Sequence, residues 1–85
     1  MGNKRLRVPS AELRQILADN IRAYRKSKDI SQERFAEMCS LHRTYVGSLE
    51  RGERNATLST LEILAAALGT DVPKLLTRKA FEDGD

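Results

Sequence analysis

Apolar residues recur at helical spacing along most of the chain and predict a series of amphipathic helices. From Leu13 to Tyr24 they repeat at intervals of three and four residues, which predicts a first helix that ends near Lys28. Asn20 is the one polar member of this stripe. The sequence contains no alternating strand pattern, internal repeat or low-complexity segment.

Two short helices joined by a tight turn are predicted within residues 30–52. Ser31 is a favourable N-cap for the first of them, and the turn follows at Ser40. The second helix begins near His42 and stops at Gly52, a residue type common just after helix ends.

Two further helices are predicted in the C-terminal half. The apolar spacing of residues 58–68 favours a fourth helix that starts at Thr57, although Ser59 would cap a later start. Asp71, Val72 and Pro73 open a fifth, short helix. The connections are short, so we expect a compact all-α bundle of five helices.

The chain is long enough for one domain, which we expect to span residues 10–76. Residues 1–9 contain Lys4, Arg5 and Arg7 without any periodicity, and they are predicted to form a flexible basic arm. Residues 77–85 are predicted to form a frayed tail, in which Phe81 is the only apolar anchor.

The predicted third helix has two faces of opposite character. Its apolar face suits a core, whereas its other face carries hydrogen-bond donors and two arginines without any carboxylate. The residues of this polar face are Arg43, Thr44, Gly47, Ser48 and Arg51. Because arginine binds guanine bidentately and a glycine permits close approach, this face is typical of a helix bound in the major groove of DNA.

Composition excludes several other classes of protein. The net charge of +3 favours nucleic acid only weakly, and the single cysteine, Cys39, rules out an intrachain disulfide or a thiolate metal cluster. The sequence has no signal peptide and no apolar run that could span a membrane, so we expect a cytoplasmic protein. It also lacks a recognisable catalytic set, and we expect neither an enzyme nor a cofactor or metal.

The segment SQERFAEMCSLHRTYVGSLERGERNATLSTLEILAAALG resembles the helix-turn-helix domain of phage repressors, Cro and their bacterial relatives. The resemblance extends from about Asn20 to Leu76 and implies a lambda-repressor-like fold. It rests on Gln32, Ala36, Val46, Leu49 and the sequence Glu50-Arg51-Gly52. Ser40 departs from the family, which commonly has glycine in this turn, where a left-handed backbone is often needed.

The shorter segment HRTYVGSLERGERNATLSTLE is similar to controller proteins of bacterial restriction–modification systems. The similarity implies a homodimeric regulator that binds a symmetric operator near its own promoter and contacts RNA polymerase. It also implies DNA contacts by Arg43, Thr44, Tyr45, Arg51 and Arg54.

Several assignments have a structural alternative. Arg43 and Thr44 could be solvated, Tyr45 could pack into the domain, Gly47 could make room for a neighbouring helix, and Ser48 could face solvent rather than a phosphate. Gln32 contacts a phosphate in the family, or it simply begins a helix. Arg25 and Glu50 have the spacing of an ion pair that joins two helices in phage repressors and orients Arg25 towards a phosphate, or each is solvated separately.

The fifth helix is more apolar than a free terminal helix should be, and Val72, Leu75 and Leu76 are therefore predicted to form a dimer interface. An antitoxin or a phage-type repressor with the same fold is an alternative function. A protein-interaction module that does not bind DNA is another, although the non-acidic face of the third helix disfavours it.

Overall fold

The computed structural model describes residues 11–81, and within them it contains helices and turns without strands. The helices in chain order are α1 (Ala11–Ser27), α2 (Gln32–Cys39), α3 (Arg43–Glu50), α4 (Leu58–Leu68) and α5 (Val72–Leu75). α3 packs against α1 and α2, and α4 packs against α2 and α5. The predicted all-α architecture is confirmed. The predicted arm at residues 1–9 lies outside the described residues.

Three helices begin at side chains that cap them. The side-chain oxygens of Ser31, Thr57 and Asp71 accept hydrogen bonds, at 2.9–3.1 Å, from backbone N–H groups three residues later. These bonds satisfy donors that have no partner inside the helix. The predicted starts at Ser31 and Thr57 are therefore confirmed, and the alternative start at Ser59 is not used.

The turn between α2 and α3 requires a left-handed residue, and Ser40 adopts that conformation with φ 56° and ψ 40°. Its N–H donates to the carbonyl of Glu37, and the N–H of Leu41 donates to the carbonyl of Ala36 at 2.9 Å. The chain thus reverses direction without leaving these carbonyls unpaired.

We expect Ser40→Gly to raise the free energy of unfolding by about 0.5–1 kcal/mol, because glycine adopts this conformation without a steric cost. Urea unfolding measures the change. Ser31→Gly is the matched control, and it should lower the same quantity by a few tenths of a kcal/mol through loss of a cap. A Ser40→Gly variant no more stable than the parent would contradict the assignment of backbone strain.

The core is formed by buried side chains from all five helices. Its largest fully buried side chains include Phe35, Ile21, Leu49, Leu64 and Leu75. Leu75 is 0% exposed and packs inside its own domain, so it does not lie on the surface of the single chain, and its place in a dimer interface stays a prediction. Val72 and Leu76 are only partly buried.

Asn20 explains why a polar residue interrupts the apolar stripe of α1. It is 1% exposed, and its Nδ2 donates to the carbonyls of Leu75 at 2.7 Å and Thr77 at 2.9 Å. Leu75 is the last residue of α5, and its carbonyl is one of those that a helix end leaves without a helical donor. Thr77 lies two residues beyond α5, and its carbonyl also accepts from the N–H of Ala80 at 3.2 Å. One buried amide therefore attaches α5 to α1.

Residues 77–81 differ from the predicted frayed tail. Arg78 pairs with Glu12 in the first turn of α1, and Phe81 packs against the edge of the core. The folded domain therefore extends at least to Phe81. Among the described helices, none combines the length and apolar character that crossing a membrane requires.

Candidate nucleic-acid interface

The inner side of α3 is packed into the core, whereas its N-terminal end is exposed to solvent. Val46 and Leu49 are at most 1% exposed and belong to the core. Arg43 and Thr44, in the first turn, are exposed, and Tyr45 is half-buried against the core. The start of α3 is therefore the part of the helix that another molecule can reach.

The predicted pair of Arg25 and Glu50 joins α1 to the end of α3. Arg25 donates from Nε and Nη2 to the two carboxylate oxygens, at 2.7 and 2.9 Å. Gln32 adds a hydrogen bond from Nε2 to Glu50 at 3.0 Å. The Glu50 side chain is 4% exposed, so the alternative of separately solvated charges is wrong.

The environment of Glu50 favours its charged form. Burial by itself raises the pKa of this carboxyl group, but the hydrogen bonds from Arg25 and Gln32 and the charges of Arg25 and Arg22 outweigh burial. The pKa of Glu50 is consequently lowered. The hydrogen bonding between Arg25 and Glu50 raises the pKa of Arg25. The pair is thus ionised at neutral pH.

Two further arginines of α1 hold the C-terminal end of α3 and the loop after it. Arg22 donates to the backbone carbonyl of Glu50. Arg14 donates from Nε to the carbonyl of Gly52 at 3.1 Å and from Nη1 to Asn55 at 3.0 Å. Cations are favourable at a helix C-terminus because its carbonyls are unpaired and carry partial negative charge.

The sequence interpretation missed the roles of Arg14 and Arg22. Together with Arg25 they are spaced by eight and then three residues, which places all three on one side of a helix. This spacing, next to the apolar stripe, was the available signal.

The middle of the predicted polar face is covered. A Cβ atom added at Gly47 would lie 3.3 Å from Nη1 of Arg51 and 3.8 Å from Oε1 of Gln32. Glycine at this position therefore gives room to two side chains that cross α3. The structure brings Gln32, Gly47 and Arg51 together.

Ser48 is 5% exposed, so it does not face solvent, and its contact with a phosphate stays a prediction. Its hydroxyl donates to the carbonyl of Tyr45 at 2.7 Å and accepts from Nε of Arg54 at 2.8 Å. The guanidinium of Arg54 lies 5.0 Å from the centre of the Tyr45 ring. Tyr45, Ser48 and Arg54 consequently form one group of contacts beside α3.

Two exposed arginines pair with carboxylates of neighbouring segments. Nε of Arg43 lies 3.5 Å from Glu33, and Nε of Arg51 lies 3.0 Å from Glu53. The hydrogen bond from Arg51, with further help from Arg54, lowers the pKa of Glu53. All four paired side chains are more than half exposed, and such pairs contribute little to stability. An incoming anion can therefore replace these carboxylates at low cost.

Comparison with known proteins shows to which family this arrangement of helices belongs. A sequence profile of the helix-turn-helix family matches residues 21–75. The chain is 58% identical over 72 residues to the control protein C.SmaI of Serratia marcescens, and the aligned region covers 85% of this chain and 86% of that relative.

Two crystal structures share the fold. The hypothetical transcription factor NHTF from Neisseria matches with a TM-score of 0.73 and 44% identity, over 84% of this chain and 83% of that one. The restriction–modification controller protein C.AhdI from Aeromonas hydrophila matches with a TM-score of 0.69 and 38% identity, over 78% and 98% of the two chains. The chain therefore belongs to the helix-turn-helix family and is a transcription regulator of the restriction–modification controller type.

Proposed function

We propose that the protein is a homodimeric, sequence-specific regulator that binds a symmetric DNA operator and controls its own promoter and restriction–modification genes. The observation that carries this proposal is the exposed start of α3 on a helix whose other parts are fixed. Arg43 and Thr44 project from that start, while Val46, Leu49 and Glu50 are buried. A rigid helix that presents its first turn is the arrangement that helix-turn-helix proteins use to contact base edges.

The exposed side chains divide between bases and phosphates. Arg43 is suited to the two acceptors of a guanine in the major groove, and Thr44 is suited to a base edge or a thymine methyl group. Arg51 and Arg54 are suited to backbone phosphates, which position a protein on DNA without reading its sequence. Gln32 is also suited to a phosphate, because its amide nitrogen has two N–H donors and only one of them is used in the hydrogen bond to Glu50.

Arg25 receives a different role from the one implied by the resemblance. Three of its N–H groups are directed at Glu50 and the carbonyl of Ile30, and its side chain is 18% exposed. We therefore assign Arg25 to the support of α3 rather than to direct contact with DNA.

A dimer is proposed because one recognition helix contacts too few base pairs for a useful specificity. The partly buried residues Val72 and Leu76 are the proposed contact with a second copy. Leu76 also borders an apolar groove of about 300 Å³, lined in addition by Leu13, Leu17 and Leu61. RNA polymerase is proposed as a further partner, and the regulator would act in the cytoplasm, where the DNA is.

The proposal is tested by selecting binding sites from random DNA and titrating the selected site at two salt concentrations. We expect a two-fold symmetric site with half-sites about one helical turn apart, and an affinity that falls with salt. Arg43→Ala should reduce the preference for the selected site over random DNA by about 1–3 kcal/mol.

Arg78→Ala is the matched control, because Arg78 is similarly exposed and also pairs with a glutamate, but in the first turn of α1. It should leave the preference unchanged. Wild-type protein that enriches no sequence and does not bind random DNA would favour the protein-interaction module instead, because that module does not bind DNA.

A further inference from the structure

We propose that Tyr45 and Ser48 are positioning residues that hold Arg54 ready to bind a backbone phosphate of DNA. This inference rests on the DNA binding proposed above. It assigns to two residues of α3 a role that acts through a third residue, which lies outside the helix.

Arg54 lies in the loop between α3 and α4, four residues after the last residue of α3. An arginine side chain in a loop ordinarily samples many rotamers, and this freedom is lost when it binds a ligand. Here two contacts from α3 restrict the side chain before any ligand arrives.

The first contact is the hydroxyl of Ser48. Its single hydrogen is committed to the carbonyl of Tyr45 at 2.7 Å, which leaves its oxygen free to accept from Nε of Arg54 at 2.8 Å. Because Ser48 is 5% exposed and lies within a helix, this acceptor has a defined position.

The second contact is the ring of Tyr45. The guanidinium carbon lies 5.0 Å from the ring centre, within the distance of a cation–π interaction. Tyr45 is partly buried and packs against the core, so the ring provides a fixed surface. Nε and one face of the guanidinium are therefore occupied inside the protein, whereas neither Nη group donates to another of residues 11–81.

Arg54 differs from the other two exposed arginines of this region. Arg43 pairs with Glu33, and Arg51 occupies the nearby Glu53. Among the described residues, no carboxylate lies within 4.0 Å of Arg54. A fixed guanidinium with two free donor groups and no bound carboxylate fits a phosphate, which arginine binds bidentately.

The test measures DNA affinity for a double-mutant cycle, using the selected operator and a random duplex. Arg54→Ala should weaken binding to both duplexes by about tenfold and reduce the slope of log affinity against log salt by about 0.9. Ser48→Ala and Tyr45→Leu should each weaken binding to both by about two- to tenfold. In the Arg54→Ala background they should have no further effect.

Tyr45→Phe keeps the ring and should restore most of the affinity that Tyr45→Leu loses. Equal losses from Ser48→Ala with and without Arg54 would overturn the positioning role, because the hydroxyl would then act independently. The same result for Tyr45→Leu would overturn the role of the ring. Wild-type protein that shows no salt-dependent binding to either duplex would instead overturn the proposed function.

Discussion

Arg25→Ala is expected to lower the free energy of unfolding by about 3–5 kcal/mol, because it leaves a buried carboxylate without its cation. The Glu50 side chain is 4% exposed and depends on Arg25 for two hydrogen bonds. Urea unfolding at neutral pH measures the loss. Glu33→Ala is the matched control. It breaks the exposed pair with Arg43 and should cost less than about 1 kcal/mol.

The pH dependence provides an independent check on the same pair. The pKa of Glu50 is lower in the folded protein than in the unfolded chain. The ionised Glu50 therefore contributes fully to the free energy of unfolding at any pH above the ordinary glutamate pKa of about 4.3. This contribution is lost as the pH falls through the lowered folded value. The difference between the parent and Arg25→Ala should therefore shrink at acid pH. A difference that is constant from neutral to acid pH would contradict the ionic explanation.

Leu75→Ala is expected to lower the free energy of unfolding by about 2–5 kcal/mol, because its fully buried side chain would leave a cavity in the core. Leu76→Ala is the comparison, since Leu76 is only partly buried and belongs to the proposed dimer contact. Its effect on unfolding should be smaller and should depend on protein concentration, because dimerisation adds to stability by mass action.

Analytical ultracentrifugation further distinguishes the roles of Leu75 and Leu76, because it measures the fraction of dimer directly. Leu76→Ala should shift the protein towards monomer at concentrations at which the parent is dimeric. Leu75→Ala with full stability and weakened dimerisation would mean that the original prediction for Leu75 was right and that its burial in the single chain is not the relevant state.

The support of α3 connects these stability effects with the proposed DNA binding. Arg14, Arg22 and Arg25 hold the C-terminal end of α3 and the loop that follows it. That loop carries Arg54. These three basic residues of α1 therefore act within the protein, and the exposed cations of α3 and its loop remain available for the proposed contact with DNA.

Local signals determined the helices. Ser31 and Thr57 cap helices through atoms three residues away, and the apolar spacing of α1 needs no distant partner to define it. The left-handed conformation at Ser40 was expected from the family resemblance, since the family commonly has glycine in this turn. The family resemblance and the exposed start of α3 follow from the same short-range pattern.

Tertiary structure alone decided which polar residues of α3 are exposed. Ser48 points to the polar side of the helix, yet it is buried because Arg54 folds back over it from a loop whose path the periodicity does not define. The burial of Leu75 could not be predicted from the sequence, because α5 has only four residues, too few to show a face. Asn20, 55 residues earlier in the chain, fixes the orientation of α5. The sequence by itself determined where the helices begin and end, because capping and periodicity act over a few residues. Packing decided the roles of Arg14, Arg22, Ser48 and Leu75, because their partners are distant in the chain or lie in irregular segments.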